Sequence, residues 1–183
     1  MKTRMIVSVL TVGIVSAVLL FSCSKISELA SVDITYSLPR TNFTYTPSTL
    51  KSSEEIMYQE FVKINVDSLL SANGISSGSV EDPSFTKFSI TITIPADANF
   101  AWLQSARAVV ADNANYTSAV QIGSVINAGG TGKTVVLAVN NDKIPFTNQG
   151  FYLRIYATLT GPVPYTWIQM YFDSELKMTL KPL

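Results

Sequence analysis

Phe88-Ser89-Ile90-Thr91-Ile92-Thr93-Ile94 alternates without a fault. Large apolar side chains hold the even positions and hydroxyls the odd ones. Successive side chains of a strand point to opposite faces, so this spacing predicts a strand with one face in a core and one in water. Antiparallel sheets carry such strands. Working outward, Tyr58–Val66 repeats the pattern, with Val62, Ile64 and Val66 on one face and Lys63, Asn65 and Asp67 on the other. Asp67 is then placed to cap a helical turn or two, ending at Gly74, with Leu69 and Leu70 plugging the core. Ile75–Ser84 reads as a loop closed by Pro83.

Further strands are expected at Val32–Leu38, Phe43–Thr46, Ser105–Ala111, Ala119–Gly123, Thr134–Val139, Phe151–Leu159, Tyr165–Phe172 and Glu175–Leu180. Asn99–Leu103 reads as a turn bearing Phe100 and Trp102. Ser52 and Glu55 have the spacing of a capping box, which allows one helical turn there. About nine strands with short connections and hardly any helix define an all-β chain. The expectation is a single antiparallel β-sandwich over residues 32–183, immunoglobulin-like or jelly-roll-like.

Ahead of that domain, Lys2 and Arg4 precede a run that is apolar from Met5 to Phe21, slightly short of the ~20 residues of a comfortable membrane-spanning helix. A basic end followed by such a run is the layout of a secretory signal. Leu20-Phe21-Ser22-Cys23 resembles the bacterial lipobox. The resemblance implies cleavage after residue 22 and acylation of Cys23. Residues 1–22 are thus expected to be a signal peptide and 23–31 a lipidated tether to the membrane.

Composition excludes much chemistry. The chain has no histidine and one cysteine, which lipid would block. That leaves no Cys/His zinc site, no disulfide, no cysteine nucleophile and no Ser-His-Asp triad. Thirteen basic residues balance thirteen acidic ones, which argues against a nucleic-acid partner. No cofactor and no metal site is expected. Asp112, Asn113 and Asn115 offer oxygen ligands but lack the spacing of a Ca²⁺ loop. Asn127–Thr134 imitates a P-loop through Gly132-Lys133-Thr134. A strand rather than a helix should follow it, so no helix N-terminus would meet a phosphate. It reads as a glycine-rich hairpin loop, and no nucleotide is expected. The carboxylates are scattered, and nothing selects a pair set for glycoside hydrolysis.

Two aromatic patterns stand out. Tyr152 and Tyr156 share a strand face with Arg154, opposite Phe151, Leu153 and Ile155. Tyr165, Trp167 and Tyr171 stand opposite Ile168, Met170 and Phe172. If the latter three are buried, Tyr165, Trp167 and Tyr171 would form an outward strip able to stack on a glycan or meet a protein.

The stretches Lys63–Gly74, Phe88–Ile94 and Asn99–Ser105 resemble small β-sandwich lipoproteins of Bacteroidota. The resemblance covers most of the chain behind Cys23 and implies no activity. Such lipoproteins carry acidic residues after the cysteine when displayed at the cell surface. Ser24-Lys25-Ile26-Ser27 has none, which points to the periplasmic side of the outer membrane. Asp67-Ser68-Leu69 also matches the short O-glycosylation pattern of that phylum. The expected function is a non-enzymatic envelope lipoprotein, anchored by lipid and binding a partner or ligand. The alternatives are a carbohydrate-binding module using the aromatic strip, a pilus or adhesin subunit, and, least supported, a hydrolase with an acidic pair.

Overall fold

The computed structural model describes residues 31–48, 54–126 and 128–183. Cys23, the signal segment and all but the last residue of the tether lie outside that range. Strands β1 (Val32–Ser37), β2 (Thr41–Tyr45) and β3 (Glu54–Lys63) lead into a short helix, α1 (Val66–Ala72). Then come β4 (Gly78–Ile94), β5 (Leu103–Ala111), β6 (Val120–Ile126), β7 (Thr134–Val136), β8 (Ala138–Val139), β9 (Gly150–Leu159) and β10 (Ile168–Pro182). All pairings are antiparallel. In the first sheet the order is β1-β10-β4-β7, with β2 beside the other half of β10; in the second it is β3-β9-β5-β6-β8. The chain is thus an all-β, two-sheet antiparallel sandwich. Its strand order, with most connections crossing between sheets, is that of a jelly roll rather than an immunoglobulin domain.

The inward faces are those the alternation predicts. Phe88, Ile90 and Ile92 are buried from β4, and Phe151, Leu153, Ile155 and Ala157 from β9. Val62, Ile64 and Val66 are buried, and Leu70 of α1 closes one end. Aromatic rings run through the middle. Phe88 stacks on Phe172 at 5.5 Å and 15°; Phe85 meets Phe151 edge-on at 5.7 Å across the sheets; Tyr58 meets Phe172 at 5.2 Å.

Several boundaries differ from expectation, each for a physical reason. Ile75–Ser84 is not a loop throughout, because β4 begins at Gly78. Its ladder with β10 pairs Ser84 with Lys177 and Glu81 with Thr179, leaving Asp82 and Pro83 as a bulge. A proline is tolerated in a strand at such a point. A second bulge leaves Thr86 unpaired between Phe85 and Lys87. The inward parity therefore changes from Phe85 to Phe88, which hides the period of two. A third, at Thr93, turns Ile94 outward, where it is 42% exposed. The two strands expected in Tyr165–Phe172 and Glu175–Leu180 are one, β10, because Ser174 keeps the inward register between Phe172 and Leu176 and is itself buried.

Thr134–Val139 divides at Leu137. β7 pairs with β4 and β8 with β6, so the chain changes sheets within six residues. The glycine-rich segment before it is consequently a crossing between sheets, not a hairpin loop. Its backbone is tied down by Phe100 N donating to Gly132 O at 3.1 Å and Ile92 N to Lys133 O at 2.8 Å. Lys133 Nζ donates to Ala96 O. The helix cap is Asn65, not Asp67. The Asn65 side chain accepts from Ser68 N at 3.0 Å, and Asp67 falls in the first turn, where its charge suits the helix dipole. Ser52 lies outside the described residues. Glu55 belongs to β3 rather than a helical turn, its carboxylate accepting from the Tyr45 hydroxyl and from Ser48 N.

No helix among the described residues is long and apolar enough to cross a membrane.

Gly150 begins β9 at φ +133°, and a Cβ there would sit 1.9 Å from Val62 O. Gly150→Ala should lose at least about 2 kcal/mol. An unchanged urea midpoint would show that the β3–β9 junction is looser than described.

Candidate functional site

The outer faces of the two sheets are built from different residues. On the first sheet they are mostly hydroxyls and ion pairs, with Ile94, Val136 and the Arg40–Tyr171 stack among them. Lys87 meets Glu175 at 3.4 Å, Lys181 meets Glu81 at 3.3 Å, and Arg40 meets Asp173 at 3.1 Å. Thr91 and Thr134 share a hydrogen bond at 2.9 Å.

The second sheet carries rings and guanidinium groups instead. The alternation of β9 sends Tyr152, Arg154 and Tyr156 outward, as the sequence predicts. Ile56 pairs with Tyr156 and Phe61 with Tyr152 on one side; Arg107 pairs with Tyr156 and Ala111 with Tyr152 on the other. Tyr116 folds back over this face from the turn after β5, with φ +56°. Its hydroxyl donates to Leu153 O at 2.8 Å, and with Val109 and Ala111 it forms a small second core. The turn is set by Asn113, whose side chain accepts from Asn115 N and Thr117 N. The oxygens once eligible as Ca²⁺ ligands thus serve a turn.

A ladder of stacked groups results. The Arg154 guanidinium lies 3.7 Å from the Tyr116 ring centre and donates from Nη1 to the Tyr156 hydroxyl at 2.8 Å. The Arg107 guanidinium lies 4.0 Å over the Tyr156 ring and grips Glu54 with two hydrogen bonds of 2.5 and 2.6 Å. That grip crosses β9, since Glu54 is on β3 and Arg107 on β5. Arg154 has no carboxylate partner among the described residues, and its Nε is buried without a hydrogen bond. Burial pushes the Tyr116 hydroxyl pKa up against the opposing pull of Arg154.

Hollows open at both ends of the ladder. One, of about 150 Å³, lies between Arg107, Tyr156, Gln121 and Ser124. The other, of about 590 Å³, is lined by Phe61, Tyr152, Asp112, Thr147, Asn148 and Gln149. Phe61 stands edge-on to Tyr152 at 5.0 Å and is 38% exposed.

Tyr165, Trp167 and Tyr171 lie elsewhere. Ile168, Met170 and Phe172 are buried opposite them. Only Tyr171 is on a strand, however, because β10 begins at Ile168. Arg40 covers the Tyr171 ring at 4.0 Å. Trp167 is 46% exposed in the preceding segment. Tyr165 donates to Asp97 at 3.4 Å and helps line a hollow with Pro47, Pro162 and Pro164. The three do not stand in one strip along the strand. Phe61, Tyr116, Arg107 and Glu54 were not singled out from sequence. The periodicity of β3 pointed to Phe61 facing outward, but nothing local marks the pairing of Glu54 with Arg107.

Among the described residues no group of three or more His, Cys, Asp or Glu side chains is placed to hold a metal ion.

No protein-family model and no curated protein matches the chain. Solved structures similar to it include the decameric BFDV capsid protein, at 9% identity and TM-score 0.39, covering 82% of this chain and 100% of that one. Mud Crab Dicistrovirus is similar at 12% and 0.41, covering 85% and 75%. Infectious bursal disease virus, Gx strain, is similar at 9% and 0.38, covering 83% and 33%. Identity and superposition this low carry no function across.

The Arg107 hydrogen bonds hold the Glu54 carboxyl below its ordinary value of 4.5. A depressed folded value means that the pair stabilises fully above the ordinary value and is lost as pH falls through the folded one. A carbon-detected NMR titration should place the Glu54 midpoint below 4.5 and return it toward that value in Arg107→Gln. An identical midpoint in both would remove the pair from the ladder.

Proposed function

We propose that this chain is a non-catalytic envelope lipoprotein, a lipid-anchored β-sandwich that binds a ligand or partner through the outer face of its second sheet. The carrying observation is the difference between the two outer faces. A solvated antiparallel sheet needs only polar residues outside, and the first sheet has mostly these, apart from exposed Ile94 and Val136 and the Arg40–Tyr171 stack. The second sheet instead presents Ile56 at 48% exposure and Phe61 at 38%, next to the tyrosine–arginine ladder. Aromatic and arginine side chains dominate binding surfaces because each combines apolar area with a directional polar group.

The anchor rests on the run from Lys2 to Cys23. The absence of histidine and the engagement of six acidic side chains, Asp33, Glu54, Glu81, Asp82, Asp173 and Glu175, in surface ion pairs favour binding over catalysis. The described chain begins at the edge of the first sheet, where Val32 pairs with Leu180. A tether there joins the first sheet, while the proposed binding face belongs to the second. The absence of acidic residues next to Cys23 favours the periplasmic side of the outer membrane.

Two measurements test this. Cys23→Ser should move the protein from the membrane to the soluble fraction of bacterial cells producing the full chain; unchanged membrane association would overturn the anchor. A photo-crosslinking residue at Ile56 should yield a discrete adduct in such cells, whereas one at Thr91 on the other outer face should not. Matching patterns at the two positions would overturn the binding face.

A further inference from the structure

We propose that the hollow beside Phe61 and Tyr152 is a binding site for an uncharged saccharide, an inference that rests on the second sheet's outer face being the binding surface. The site pairs two kinds of group. Phe61, 38% exposed, gives an apolar surface for the C–H face of a sugar ring, with Tyr152 edge-on to it at 5.0 Å. Asp112, Thr147, Asn148 and Gln149 form the rim. A carboxylate accepts, an amide both donates and accepts, and the Thr147 hydroxyl, whose proton goes to Gly150 O, can accept, which matches ligand hydroxyls that need both partners.

The backbone of the rim, with Thr147 and Asp112, is held in place before any ligand arrives. Thr147 and Gly150 exchange two backbone hydrogen bonds, at 2.9 and 3.1 Å. Thr147 Oγ1 also donates to Gly150 O, and Ile64 N donates to Gln149 O at 2.9 Å, tying the turn to the end of β3. Asp112 Oδ1 accepts from Asn113 Nδ2 at 2.7 Å. Groups already fixed lose little freedom on binding.

Charge decides between ligand classes. Among the described residues lining the hollow, Asp112 is the one acidic side chain and none is basic; Lys63 lines the adjoining hollow that shares Asn148 and Gln149. Uronates, sialic acids, phosphates and acidic peptides therefore find no cationic partner in the lining itself. A hydrophobic peptide would leave the carboxylate and two amides unpaired. A neutral, hydroxyl-rich ring satisfies the rim and the platform together.

Saturation-transfer NMR on the folded chain tests the site with four probes at about 10 mM, suited to an open site with Kd of about 1 mM. Three are neutral tetrasaccharides of β1,4-glucose, β1,4-N-acetylglucosamine and α1,6-mannose, and one is tetragalacturonate. At least one neutral probe should receive saturation and tetragalacturonate none. Phe61→Ala should weaken binding about tenfold or more, and Gln149→Ala severalfold, while Tyr171→Ala on the opposite face leaves it unchanged. If Phe61→Ala does not fold, Asp112→Asn and Gln149→Ala decide, since both side chains are exposed. Silence with all three neutral probes, equal binding of tetragalacturonate, or binding indifferent to Phe61, Asp112 and Gln149 would each overturn the proposal. A specific Ile56 crosslink combined with saccharide silence would reject the sugar and keep the binding face.

Discussion

The ladder between β4 and β10 is the constraint on which everything else in the sandwich depends. It runs from Gly78 beside Pro182 to Ile94 beside Gln169, nearly the full length of both strands. Each strand supplies the inner face with a row of fully buried side chains, and the Phe88–Phe172 stack joins them at the centre. β1 and β2 are both laid on the far side of β10, and β7 on the far side of β4. Once this pair has a fixed register, the second sheet has one surface to pack against, and Phe151 and Tyr58 reach it through Phe85 and Phe172. A slip of one residue would turn Phe88, Ile90 and Ile92 outward together, so the register is strongly specified.

What could be read from the sequence follows from that constraint. Where a strand keeps one face in the core throughout, as Phe88–Ile92 and Phe151–Leu159 do, alternation revealed the strand and its orientation. Where a bulge intervenes, alternation failed. Thr86, Asp82 and Pro83 reset the parity of β4, and its first half passed for a loop. Ser174 had the opposite effect, since a small polar residue at an inward position made one strand look like two. The change of sheet at Leu137 left no mark, because an inward residue there suits either layer. The Asn65 cap was missed for a local reason. Asn and Asp cap about equally well by type, so residue identity could not choose between Asn65 and Asp67, and the helix starts at Val66, two residues earlier than an Asp67 cap would allow.

The outer face was half legible. Tyr152, Arg154 and Tyr156 are three alternate residues of one strand, so their shared face needed no structure. Their partners come from β3, β5 and the turn after β5, and only the strand order β3-β9-β5 brings those together. Tyr165, Trp167 and Tyr171 looked equally persuasive as a row. Of the three, Tyr171 is the one on the strand, which begins at Ile168, and its ring lies beneath Arg40.

The ladder also explains why an aromatic surface on this sheet is a shaped platform rather than a loose patch. Tyr152 is braced from both sides, by Phe61 at 5.0 Å and by Tyr116 at 6.4 Å. Tyr116 is in turn fixed by its bond to Leu153 O and by the guanidinium of Arg154. A guanidinium over an aromatic ring contributes about 0.5–2 kcal/mol depending on desolvation, but Arg154 also buries an Nε with no acceptor, which costs a comparable amount. The net gain in stability from Arg154 is therefore small. Its larger effect is to immobilise rings that would otherwise sample several rotamers, and an immobilised ring loses less entropy when something stacks on it. The proposed binding face would draw on that bracing, since rings already held in one rotamer need not be ordered by a ligand.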